Sequence, residues 1–282
     1  MLFRSFSQYL ERDLKGAGLR ARVVNLGVNG IDSYSIKQRL RQSLKAAPVK
    51  PALVVFYMGH NEFNNAYDSV IKKGFPDFAY LLKPLYVVSP KQQERIIAPM
   101  AYRWFSRLKR PALIEALQRA HVVTVRDSLR PQYDQVILRH FEMNLAEMLD
   151  GLAAAGIPAL IVTPIGNYSA RPFGSASAVD DPYRHGMAEP EYQKRMSWLI
   201  RAKDNELLTY DIRAKSVLTS SVMALRRKGV AMINLEAECL ADGFRFDDSN
   251  FLDYFHLKSS GHQMIAQKIS ARILNEPELR PH

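Results

Sequence analysis

This 282-residue chain is short of cysteine, of long apolar stretches and of acidic side chains relative to basic ones. Its single cysteine, Cys239, excludes an internal disulfide and leaves the redox compartment open. No uninterrupted apolar run reaches the roughly 18 residues of a membrane-spanning helix. The N-terminal stretch MLFRSFSQYLERDLKGAG is broken by Arg4, Glu11 and Arg12, so it lacks the apolar centre of a signal peptide. No internal repeat or low-complexity segment occurs. Acids number 28 against 39 Lys and Arg, giving a formal charge of +11. The basic residues gather at Arg20–Arg22, Lys37–Lys45, Arg103–Arg110 and Arg226–Lys228. They carry no nucleic-acid motif and no aromatic-basic signature of one, which argues against a nucleic-acid binder and favours solvated helix faces; an anionic surface is the remaining partner of that chemistry.

What the chain does have is a soluble globular composition, 47% hydrophobic with a mean hydropathy of −0.20. Four short apolar runs have the size and residue types of buried parallel strands: Arg22–Leu26, Ala52–Met58, Ala159–Thr163 and Val230–Asn234. Each follows a helix-like segment, namely Phe3–Lys15, Ser35–Lys45, Tyr133–Ala154 and Tyr210–Arg227, and Ser260–Leu274 closes the chain as an amphipathic helix. Alternating strand and helix predicts an α/β fold with three layers, a parallel sheet covered by helices on both faces. One domain spans 1–282. Residues 64–129 are too many for a single crossover and read as an inserted helical or loop lid. Gly166–Pro190 reads as a second irregular stretch. Both leave the C-terminal edge of the sheet, where open α/β folds place their ligand sites.

Three segments converge on that edge. Gly30 follows a strand and precedes a helix, so its N–H can approach a ligand closely. Asn61, in the turn Gly59-His60-Asn61-Glu62, offers a neutral amide donor suited to an oxyanion. Asp253 and His256 lie three residues apart just before the last helix, the spacing of an acid that orients a base. His262, inside that helix, is read as a packing or surface residue. His60, Glu62, Asp253 and His256 lack tight metal-ligand spacing, and no metal or other cofactor is expected.

Together these segments resemble the second, third and fifth sequence blocks of the SGNH/GDSL hydrolase superfamily, in order from about Phe3 to Ile273. The resemblance implies a flavodoxin-like sheet and a serine ester hydrolase of the esterase, lipase or deacetylase kind. It implies Gly30 and Asn61 as oxyanion donors, His256 as general base and Asp253 as its orienting partner. Glu62 stands where that pattern more usually has Asp. The implied substrates are small-molecule, lipid or carbohydrate esters.

The family's first block, a Gly-Asp-Ser-like turn ending the first strand, is not found. Ser5 and Ser7 have neither a preceding strand nor a glycine, Ser33 reads as a helix N-cap, and no Gly-x-Ser-x-Gly elbow occurs. Two readings stand: a truncated enzyme, whose first central strand and export signal lie outside the sequence, or a non-catalytic binding or scaffold protein that keeps the fold. Loss of an interior strand would leave backbone groups unpaired at about 1–3 kcal/mol each, which favours truncation. On that reading the chain itself is expected to show little esterase activity.

Overall fold

The computed structural model describes residues 5–28, 30–63, 122–172, 177–206 and 213–280. It is a three-layer α/β arrangement, as the alternation of runs predicts. The strands β1 (Val54–Tyr57), β2 (Ala159–Val162) and β3 (Val230–Ile233) form a parallel sheet in the order β1-β2-β3, with Val54 opposite Ala159 and Ala159 opposite Val230. β2 is central and buried along its whole length, which is why it reads as an unbroken apolar run, ALIV. Its side chains alternate between two cores. Leu160 and Val162 join one, with β3's Ile233 and helices α1 (Phe6–Gly16), α5 (Tyr192–Asp204), α7 (Leu235–Ala241) and α8 (Ser259–Asn275). Ala159 and Ile161 join the other, with α2 (Ser33–Ala46), α3 (Val122–Ala154) and α6 (Ser216–Ala224).

Local chemistry sets the ends of these elements. Asp32 caps α2 by accepting the Ser35 N–H at 2.9 Å. Asn234 caps α7 by accepting the Ala237 N–H at 3.1 Å, and Thr163 Oγ1 takes the Leu235 N–H at 3.0 Å. In α8, Ile265, Ala266, Ile269 and Ile273 form one apolar stripe that packs on α1.

Three expectations need correction. Arg22–Leu26 is not a strand: the whole stretch 19–28 is irregular. Among the described residues no strand lies beside it, and side chains claim its donors: Glu11 Oε2 accepts the Val23 N–H at 2.8 Å and Asn25 Oδ1 accepts the Gly27 N–H at 2.8 Å. Val24, Leu26 and Val28 are consequently exposed. Ser33 is not the cap of α2 but its first residue. The supposedly irregular 166–190 stretch contains a helix, α4 (Ser177–Ala188), in spite of Pro182. Of the 64–129 insert, residues 64–121 lie outside the described residues, and 122–129 run continuously into α3.

After β1 the chain must turn sharply at Gly59, where φ is +127°. A Cβ there would stand 2.9 Å from Leu218 Cδ2 and 3.2 Å from Pro164 Cγ. Gly59→Ala therefore meets backbone strain and overpacking together, and is expected to destabilise the fold by about 2–4 kcal/mol. Urea unfolding reads this directly; a loss under about 1 kcal/mol would show that the turn relaxes freely.

Candidate active site

The acid–base loop is built at a pinched neck. Phe251 and Leu257 form an isolated antiparallel bridge, Leu252 N–H reaches His256 O at 2.7 Å, and Lys258 N–H reaches Asn250 O at 2.8 Å. Within the neck, Asp253 Oδ1 accepts the N–H groups of Phe255 (3.0 Å) and His256 (2.8 Å), and Oδ2 lies 2.7 Å from His256 Nδ1. With Nδ1 donating to the carboxylate, Nε2 keeps the lone pair of a base. Partial burial opposes ionisation of Asp253. The His256 and Phe255 N–H groups and the His256 ring outweigh it and hold the carboxyl below its ordinary range. Both side chains are about half exposed, 46% and 49%, so the pair is open to a substrate, and solvent screens its contribution to stability.

The other two segments are tied to one another. Gly30, at φ +76°, makes the turn before α2. Asn61 Nδ2 donates to Ile31 O at 3.2 Å; an amide nitrogen has two N–H donors, and this bond uses one. Glu62 makes the stronger link. Its Oε1 accepts the Ser33 N–H at 2.6 Å and its Oε2 the Ser33 hydroxyl at 2.8 Å, while Asn144 Nδ2 donates to Ser33 Oγ at 3.0 Å. Burial, reinforced by the Asp32 charge, pushes the Glu62 carboxyl up to about 8 against the pull of the Ser33 bonds. The residue that departs from the usual motif is thus a buried clasp between the Asn61 turn and the Gly30 turn.

The clasped turns meet the acid–base loop through rings. His60 stacks on Phe255, with centroids 5.2 Å apart, and Phe255 lies 4.5 Å from the His256 ring. Gly30, Asn61, Asp253 and His256 therefore belong to one region at the C-terminal end of β1. Among the described residues no serine hydroxyl is bonded to His256: Ser5 and Ser7 lie 2.6 Å from each other, and Ser33 is bound to Glu62.

Beneath the loop is a buried polar layer that sequence reasoning missed. Arg213, 1% exposed, pairs with the fully buried Glu206 and donates to the main-chain oxygens of Asn167 and Ala170. Asn167 N–H in turn holds Tyr254 O at 2.8 Å, between the acid and the base. Lys203, also buried, pairs with Asp204 and Glu236, and Glu236 accepts from the Tyr168 hydroxyl. Nothing in the local sequence separates these charges from surface ones, since their burial depends on distant partners: Lys203 reaches Glu236 and Arg213 reaches Asn167.

Among the described residues no group of three His, Cys, Asp or Glu side chains gathers as metal ligands, and no helix is long and apolar enough to cross a membrane. A surface groove lined by Glu238, Asp242, Lys268 and Arg272 shares no residue with this region, and its charges pair with one another.

No protein-family model and no curated protein matches the chain. Among solved structures, the crystal structure of an acetyl xylan esterase, AlAXEase, is similar at 12% identity and a TM-score of 0.44, over 95% of this chain and 90% of that one.

Proposed function

We propose that the chain is the acid–base part of an ester hydrolase of the SGNH kind, with its nucleophilic serine on a strand N-terminal to Met1. The observation that carries this reading is the Asp253–His256 contact: a carboxylate fixed by two N–H bonds, 2.7 Å from Nδ1 of an accessible imidazole. In this reading a serine alkoxide attacks the ester carbonyl, His256 Nε2 takes the serine proton and returns it to the leaving alcohol, and Asp253 stabilises the imidazolium. The Gly30 N–H and the second N–H of Asn61 bind the oxyanion. Room for such a strand lies beside β1, which has no neighbour on its outer side among the described residues, and the apolar Val24, Leu26 and Val28 are exposed.

The test is to extend the reading frame upstream and assay p-nitrophenyl acetate. An extended protein carrying a strand that ends in Gly-x-Ser should hydrolyse it and lose that activity in His256→Ala, while the 282-residue chain stays inactive. A stop codon directly upstream of Met1, or activity of the short chain that ignores His256→Ala, would overturn the reading. The first of these outcomes would favour a binding protein on a hydrolase fold.

A further inference from the structure

Six ring side chains link in a row at the candidate site. From His256 it runs to Phe255 (4.5 Å between centroids), His60 (5.2 Å), Tyr57 (6.2 Å), Phe6 (5.7 Å) and His262 (6.5 Å). Along this row four buried polar atoms have no hydrogen-bond partner among the described residues: the Tyr57 hydroxyl, both His60 nitrogens and His262 Nδ1. The Ile165 main chain lies near Tyr57 and His60, yet no bond of ordinary geometry forms. Buried polar atoms are nearly always paired. Four such atoms on linked rings, next to an acid–base pair, mark a place whose partner lies outside the described residues.

We infer that Tyr57, His60 and His262 form an uncharged hydrogen-bonding corner that binds an uncharged, oxygen-bearing part of the ester, a hydroxyl or carbonyl beside the reacting bond. The inference rests on the ester-hydrolase reading above. A neutral imidazole offers one donor and one acceptor and a phenol offers both, which is the complement of a hydroxyl. Burial, followed by the charges of His256 and Lys203, lowers the His60 pKa to about 3, against the Ile165 main chain and Asp253, so its ring is neutral in working conditions. A phosphate or carboxylate fits badly. It would face the Asp253 carboxylate, and Lys203, the cation acting on His60, is already paired with Asp204 and Glu236. Phe6 and Phe255 supply apolar walls.

The test uses the full 282-residue chain, with phenyl acetate and phenyl phosphate as matched probes, followed through the imidazole nitrogens by NMR near neutral pH. Phenyl acetate should shift the His60 and His262 signals saturably, and phenyl phosphate should not. His60→Phe keeps the stack on Phe255 and removes both unpaired nitrogens. It should weaken phenyl acetate binding about tenfold or more while raising Tm by about 2–6 °C. Tyr57→Phe, the second variant, should weaken binding about three- to tenfold without lowering Tm. Unchanged affinity in both variants, or saturable phosphate binding at these rings, overturns the corner. So does a lowered Tm in both variants, which would show that the atoms are paired within the protein. An inactive extended protein that still binds phenyl acetate here would sink the hydrolase reading alone; an active one that ignores these variants would sink only the corner.

Discussion

Between pH 4.5 and pH 8, Glu62 alone removes about 5 kcal/mol of stability from the wild-type chain, and Glu62→Gln abolishes that loss. The carboxyl titrates at about 8 in the fold against 4.5 in the unfolded chain. Across that window the folded state keeps a proton that the unfolded state has released, so stability falls as pH rises, by about 1.4 kcal/mol per pH unit. The contribution is complete below pH 4.5 and gone above pH 8. His60 has the opposite sign: its folded pKa, about 3, lies below its ordinary 6.5, so it adds stability as pH climbs between those values. The two slopes oppose each other up to pH 6.5, and the decline through Glu62 stands alone from there to pH 8. The difference between wild type and Glu62→Gln isolates Glu62 throughout. Glutamine keeps the geometry of the protonated acid, with Oε1 accepting the Ser33 N–H and Nε2 donating to Ser33 Oγ. Urea unfolding at several pH values should therefore show the variant overtaking wild type above neutrality. Parallel curves for the two proteins would show that Glu62 is ionised in the fold and that its pairing with Ser33 outweighs burial.

Arg213→Met is expected to destabilise the chain by about 3–5 kcal/mol, because it removes the guanidinium that balances the charge of the Glu206 carboxylate, 0% exposed. Replacing both residues, Arg213→Met with Glu206→Leu, should return most of that loss, since an apolar pair of similar volume avoids desolvating two charges. The double variant should still free the acid–base loop. Arg213 also holds the Asn167 and Ala170 carbonyls, packs its guanidinium 5.6 Å from the Tyr254 ring centre, and lies under the segment whose Asn167 N–H anchors Tyr254 O. Hydrogen exchange at Tyr254–His256 should thus accelerate in both variants, while global stability recovers only in the double one. If the single variant loses less than about 1 kcal/mol, the buried pair is not what holds this layer together.

The Glu62 and Arg213 cases show where sequence reading stopped. The three strands were legible because each is a short apolar run, buried along its whole length in β2 and in part in β1 and β3; each observed strand falls within its predicted run. Arg22–Leu26 has the same local character and failed, since a strand is defined by its neighbour and none lies beside it among the described residues. α4 went unseen because Pro182 and Gly186 both count as helix breakers, yet neither prevents the helix in its packed setting. Glu62 was noticed only as a departure from a motif; that it is buried depends on Ser33, 29 residues away.

By itself the sequence determined what is local: the sheet's three apolar runs, the turn that begins at Gly59, and an acid three residues before a base, close enough that one tight loop brings them into contact. Only the tertiary structure decided which charges are dry. Asp253 and Glu62 are both carboxylates in polar turns, but one is half exposed and held ionised by N–H donors, while the other is sealed against α2 and keeps its proton past neutrality. The row of rings from His256 to His262 likewise joins α1, β1, the turn after it, the acid–base loop and α8. Burial and pairing depend on what the rest of the chain brings near, and no stretch of sequence carries that alone.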